Sequence, residues 1–377
     1  GEIETQLAAI WSALLKVDQV GRHDNFFELG GHSLLAVTLV ERLRQQGIQA
    51  DVRSVFTAPT LSRLAEALAL VSQGVVVPPN HIPEGCTTHT PDMLPLVSLT
   101  SQELDHLVAS VPGGAANVLD IYPLSPLQEG ILFHHLMARE GDAYLLPRIF
   151  AFDTRDRIDI FVTAMQWVLD RHDILRTAMA WDDLPEPVQV VWREATLPLE
   201  EVVLDPDQDG AEQLLARFDP RHHRIDVRQA PMLRLVTARD ECNDRWLLLV
   251  IMHHLIGDHT SLEVMAQEIQ AHLLGRAAEL PRPVPFRNLV AQARLGVSRE
   301  EHEAFFRGLL GDIDEPTAPF DLLNVQGDGS GIAEAHLRVD SVVAARLREG
   351  ARRLGVSAAS LAHLAWALVL ARLTGRE

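Results

Sequence analysis

WLLLVIMHHLIGDH, residues 246–259, sets six apolar residues ahead of a short segment with three histidines and an aspartate. An unbroken apolar run of this length fits a strand buried on both faces. Its polar end then marks the place where a buried sheet opens. Metal ligands, a catalytic base with its supports, or a polar loop could stand there. Neighbouring strand residues point to opposite faces, so His253 and His254 are poorly placed to share one ion. The HExxH spacing of a zinc helix is missing as well, and the reading carries no metal. The motif alone leaves catalysis level with a polar strand end holding one hydrogen-bonded histidine.

Outward from this strand the chain alternates between two periods. RIFAFD around 148–153 and residues 188–192 and 233–238 read as strands, and 156–172 as a helix. Thr260-Ser261-Leu262-Glu263 reads as the cap of a helix running to about Leu274. Ser125-Pro126-Leu127-Gln128 combines a cap serine, a proline at the first helical position and a glutamine at the third. That helix runs to about Glu140 and stops at Gly141. Such interleaving predicts a layered α/β fold from about residue 119.

Residues 1–72 follow the helical period alone. Leu7, Ile10 and Leu14, then Leu35, Leu39 and Leu43, then Leu61, Leu64 and Leu68 recur at its spacing. Gly47 reads as a stop and Thr60 as a cap. A small all-α four-helix bundle is predicted, with three long helices and one short. Residues 73–118, punctuated by VPPN, IPEG and VPGG, read as a linker. It would hold one short helix from Thr100, with Glu103 in a capping box.

The chain has 377 residues, enough for two domains. Its 52 acidic against 33 basic side chains give a net charge of −19. That sign argues against nucleic-acid binding, which needs a basic stripe to replace phosphate counterions, and against an anionic membrane surface. Two isolated cysteines, Cys86 and Cys242, suit a reducing cytoplasm. Residues 361–373, broken by His363 and Arg372, read as a buried helix rather than a membrane span.

DNFFELGGHSLLAV, residues 24–37, bends at two glycines and presents Ser33 at a helix N-terminus, where the helix dipole favours a phosphate. A plain cap serine also fits, and the G-x-S-x-G of a nucleophile elbow is missing. With Phe26-Phe27 ahead of it, Leu29 to Ser33 closely resembles the attachment motif of peptidyl carrier proteins of nonribosomal peptide synthetases. The resemblance covers residues 1–72 and implies 4'-phosphopantetheine covalently attached at Ser33.

Residues 119–377 resemble the condensation domains of the same synthetases. Tyr122 to Gln128 looks like their first core motif, Arg171 to Thr177 like their second, and His253 to Asp258 like their HHxxxD motif. His259 stands where that family most often has glycine. The resemblance implies that His254 handles the proton of an amine attacking a thioester, a task that suits a histidine near neutrality. It implies that Asp258 is structural and pairs with Arg176, and that His253 faces the other way and packs. His134, His135, Leu136, Gly141 and Asp142 resemble the extended histidine motif of dual epimerisation/condensation domains. Such domains invert the donor α-carbon and then join it to the next aminoacyl acceptor. Read by residues alone, the same stretch is an amphipathic helix with His135 turned inward and a glycine stop. His222-His223, in PRHHRIDVR, reads as surface.

The expectation is therefore a carrier (1–72), a linker (73–118), the N-terminal lobe of a chloramphenicol-acetyltransferase-like α/β condensation domain (119–290), and the start of its second lobe (291–377). The incomplete second lobe puts the activity of the chain by itself in question. The implied partners are an upstream adenylation domain, a downstream acceptor carrier domain, a phosphopantetheinyl transferase, and aminoacyl and peptidyl thioesters. The implied product is a peptide of the antibiotic or siderophore kind. A plain condensation domain without epimerase activity, and a non-catalytic carrier-docking module, are the competing readings.

Overall fold

The apolar spacing of the first seventy residues produces four helices, α1 (Glu2–Leu15), α2 (Ser33–Gln45), α3 (Val52–Thr57) and α4 (Leu61–Leu70). Leu7, Trp11, Leu39, Leu43 and Leu64 close their core. Phe26, from the loop between α1 and α2, meets Trp11 edge to face with ring centres 5.1 Å apart. The computed structural model describes the chain apart from residues 1, 32, 47, 49, 51, 71–74, 323–332, 334, 355, 376 and 377. The stop expected at Gly47 lies outside the described residues. Residues 1–74 group with 306–377 in one compact unit, and residues 75–305 form another.

In the second unit, the capping box of Thr100 and Glu103 opens α5 (Ser101–Ser110). Next come β1 (Val118–Pro123), α6 (Pro126–Met137), β2 (Leu145–Phe152), α7 (Arg155–Arg171), β3 (Thr177–Ala180), β4 (Val188–Trp192), β5 (Leu199–Glu201) and α8 (Gly210–Arg217). They are followed by β6 (Leu233–Asp240), β7 (Arg245–His253), α9 (His259–Leu273), α10 (Arg287–Leu295) and α11 (Arg299–Leu310), whose last turns cross into the other unit. One sheet has the order β1-β4-β3 and the other β2-β7-β6-β5. Every pair is antiparallel except β5 with β6.

The fully apolar run sits in β7, between β2 and β6. Leu248, Val250 and Met252 enter one core, while Leu247, Leu249 and Ile251 enter a second on the other face. Burial of each such side chain is worth roughly 1.5–3 kcal/mol, which is why no polar residue stands between Arg245 and His253. β2 runs antiparallel to β7 with Leu145 opposite His253. The segment after α6 is thereby delivered to the polar end of β7.

Two expectations need correction. The stretch read as a linker is packed: Ile82, Leu94, Val97, Leu99, Leu104, Leu107 and Val111 are buried in the main core of the second unit. Its proline-rich punctuation sets the local turns, but the apolar residues between them find tertiary partners. The helix after the histidines also starts earlier than expected, capped by Asp258 with Ser261 completing the box.

Residues 306–377 carry α12 (Ser341–Leu354) and α13 (Ala358–Thr374) and no strand among the described residues. α13 forms where expected but exposes Leu364, Trp366 and Leu368 rather than burying them. No helix among the described residues is long and apolar enough to cross a membrane.

Candidate active site

At the end of β7 the two histidines part company. His253 is fully buried and directs Nε2 to Asp142 Oδ2 at 3.0 Å. His135, from the last turn of α6, reaches the same oxygen through Nδ1 at 2.5 Å. The other carboxylate oxygen accepts the Tyr144 backbone N–H at 2.9 Å. Burial pushes the Asp142 carboxyl up, but the hydrogen bonds from His135 and His253 outweigh it and hold it well below the usual carboxylate range. Burial pushes the His253 imidazole down by more than the adjacent carboxylate raises it. Both histidines thus brace against one ionised, buried aspartate.

Gly141 makes this loop possible. Its φ is +66°, and a Cβ there would stand 2.2 Å from the Arg221 carbonyl oxygen, so only glycine fits. Of the candidates from the extended histidine motif, the structure brings His135, Gly141 and Asp142 together with His253. The ligand atoms of His135, Asp142 and His253 lie within 4.8 Å of one another, a grouping that could hold a metal ion. Two ligands of one tetrahedral zinc, each bonded at about 2.0–2.1 Å, stand roughly 3.3 Å apart. The 2.5 Å between His135 and Asp142 is instead the spacing of a shared hydrogen.

His254 stands outside this network. Its backbone N–H donates to the Tyr144 carbonyl at 2.9 Å, and its Nδ1 lies 3.1 Å from the Gly257 carbonyl oxygen. A carbonyl only accepts, so Nδ1 carries the hydrogen and Nε2 keeps its lone pair. The half-buried Tyr144 ring meets the His254 ring edge-on, 6.3 Å between centres. Its hydroxyl is 2.6 Å from His134 Nδ1. His254, Tyr144 and exposed His134 therefore line the open side of the same strand end.

The loop carrying His254 is held from below. Gln128, the third helical residue of α6, donates to the Leu255 carbonyl at 2.8 Å. It also exchanges amide hydrogen bonds with buried Gln189 of β4, at 2.9 and 3.0 Å. Neither Gln189 nor Tyr144 carries a local sequence signal. Each is found only by following the strand pairing.

The expected pair of Asp258 with Arg176 is not formed. Asp258 is exposed and accepts the Ser261 N–H at 2.9 Å as the cap of α9. Arg176 is buried and gives its N–H groups to the carbonyls of Leu169, Trp192 and Arg193. The carboxylate that a buried histidine needs is Asp142. His253 is turned inward as expected, but onto that carboxylate rather than into plain packing. His259 points outward, 3.2 Å from Glu263 on the next helical turn.

In the first unit, Ser33 opens α2 directly after the glycine turn. Gly30 has φ +103°, and a Cβ on Gly31 would stand 2.4 Å from the Phe26 ring. The backbone just before the helix is thus pressed against the Phe26 ring, an approach that only glycine permits.

Family models match this chain twice: a phosphopantetheine attachment site over residues 5–68 and a condensation domain over residues 118–377. The chain belongs to the condensation-domain family. It carries the carrier first and the condensation domain second. It is 51% identical over its whole length to parts of malpinin synthetase and malpibaldin synthetase, both of Mortierella alpina. It spans only 5% and 7% of those relatives. Among solved structures it is similar to the condensation domain of the monacolin K polyketide synthase, with a TM-score of 0.50, 22% identity, and 69% of this chain and 61% of that one covered. It is also similar to a four-domain nonribosomal peptide synthetase bound to AMP and glycine, with a TM-score of 0.53, 17% identity, and 68% and 20% covered. These likenesses establish the chloramphenicol-acetyltransferase-like fold of the condensation domain.

Proposed function

We propose that this segment joins a carrier-bound donor to an acceptor amine and inverts the donor α-carbon before doing so. The observation that carries the reading is the shared network. His135, Gly141 and Asp142, the residues that resemble the dual epimerisation/condensation motif, hold His253 directly beside His254. A helix-surface motif with no part in the chemistry would have no reason to be threaded into the HHxxxD site.

Ser33 is the attachment residue for phosphopantetheine in this reading. The glycine turn and the helix N-terminus suit a phosphodiester there. When bound, the group supplies a long arm ending in a thiol that holds the donor as a thioester. His254 does the proton work. In condensation, the amine nitrogen bonds to the thioester carbonyl carbon, the carbon–sulfur bond breaks, and Nε2 takes the amine proton and passes it to the leaving group. In epimerisation, the thioester acidifies the α-hydrogen. Nε2 removes it, and a proton is returned to the opposite face. The Gly257 carbonyl, bonded to Nδ1, keeps the lone pair on the working nitrogen. An adenylation domain to load the donor, a phosphopantetheinyl transferase to modify Ser33, and a second carrier to bring the acceptor are the partners this chemistry requires.

The test uses the full-length polypeptide, loaded with an L-configured donor in deuterated water and analysed for mass and chirality. Deuterium at the donor α-carbon and a D-configured product, both lost in His254→Ala, is the expected result. Amide formation without exchange would leave a plain condensation domain. Product formation unchanged in His254→Ala would leave a docking module.

A further inference from the structure

PRHHRIDVR, residues 220–228, reads from sequence as a surface segment. His222 fits that reading, exposed and 2.9 Å from Glu140. Arg224 does not. It is half-buried and gives the four hydrogens of its terminal nitrogens to the end of α6 and the loop that follows it. Nη1 donates to the carbonyls of Ala138 and Gly141, both at 2.8 Å. Nη2 donates to the His135 carbonyl at 2.6 Å and reaches His135 Nε2 at 3.1 Å.

That last contact fixes where the ring hydrogen sits. A guanidinium can only donate, so His135 Nε2 must present its lone pair. The hydrogen is then on Nδ1, aimed at Asp142. His253 is fixed from the other side, because the Leu255 N–H donates to its Nδ1 at 3.1 Å. Its hydrogen is therefore on Nε2, aimed at the same carboxylate oxygen. Each ring nitrogen of both histidines is engaged, and neither ring has a lone pair left to accept a proton.

We propose that Arg224 is a positioning residue that sets the hydrogens of the His135–Asp142–His253 network, closing both histidines to proton transfer and leaving that work to His254. The proton arrangement stands on geometry alone. What His254 does with its free lone pair rests on the function proposed above.

The test reads ring nitrogens directly, by long-range proton–nitrogen spectra of the chain labelled in histidine. In the native chain His135 should show a protonated Nδ1 and a bare Nε2, and His253 the reverse. Arg224→Met should mix the two His135 tautomers and lower turnover by about tenfold or more with KM little changed. Arg224→Lys, which keeps an obligate donor, should restore both. A native His135 protonated on Nε2 overturns the proposal whether or not any variant folds. So does an unchanged His135 signature in folded Arg224→Met. Zinc that binds stoichiometrically and shifts both rings overturns it too, since the network would then be a metal site. Correct spectra with no α-carbon exchange would sink the epimerase reading and leave this one standing.

Discussion

His253 and His254 are neighbours in sequence and opposites in circumstance. His253 lies in a closed region, where one aspartate, two histidines, Arg224 and two backbone amides satisfy one another with no ring nitrogen to spare. His254 lies on an open side with Tyr144 and His134, tied down at one ring nitrogen and free at the other. Both regions are built from the same turn of chain, and both are rich in histidine. What separates the two histidines is the count of unclaimed lone pairs, which a motif of letters does not display.

His254→Ala should break the open side alone. Amide formation is expected to fall on the order of 10²–10⁴-fold, the usual contribution of a positioned acid–base, with the unfolding midpoint in urea unmoved. Single-turnover product formation measures it, and a loss below tenfold would erase the contrast.

Asp142→Ala should break the closed side. Three buried donors lose their acceptor, and even with partial relief by water the cost is about 3 kcal/mol, read from urea unfolding. Acid should do part of the same. The His253 imidazole is held below its ordinary value near 6.5, so its stabilisation is present above that pH and fades as pH falls through it. The depressed Asp142 carboxyl adds a second loss as pH drops below the usual carboxylate range. Asp142→Ala takes away the carboxylate that raises the His253 imidazole, so its loss of stability just below pH 6.5 should be no smaller than the native chain's, while the further loss in the carboxylate range should be absent.

Gln128→Leu tests the support beneath both sides. It strands the Gln189 side-chain oxygen, whose amide nitrogen keeps the Pro123 carbonyl, and frees the Leu255 carbonyl, for a cost of roughly 1–3 kcal/mol, and should lower turnover through a looser His254 loop. Asp258→Ala is the smallest change. A lost helix cap costs about 1 kcal/mol, with far less effect on turnover than His254→Ala. An equal effect would return Asp258 to the centre of the site.

Much of the fold was legible because it is written locally. The capping boxes at Thr100 and Ser125, the buried run of β7 and the helical spacing of the first bundle each occupy a few consecutive residues. The packed stretch from 75 to 117 was not legible, since proline and glycine announce turns while Ile82, Leu94 and Val97 follow no period that tells of burial. The site divides the same way. His254 could be placed from its motif, and so could the inward turn of His135. That Asp142 braces His253, 111 residues away, depends on β2 pairing with β7 in one register. Arg224 and Gln189 contribute through folding alone, from stretches with no motif of their own. The family's usual partner for Asp258 misled because the carboxylate serving the buried histidine comes from another loop.

The contact between the Leu255 amide and the His253 ring has a consequence for observation. That backbone hydrogen is bonded to a side-chain lone pair, so its exchange with solvent reports the charge on the ring. While His253 stays neutral the hydrogen is retained; once Nδ1 is protonated the bond is gone and exchange accelerates. A single amide, next in the chain to His254, thus acts as a clock for the proton state of the scaffold.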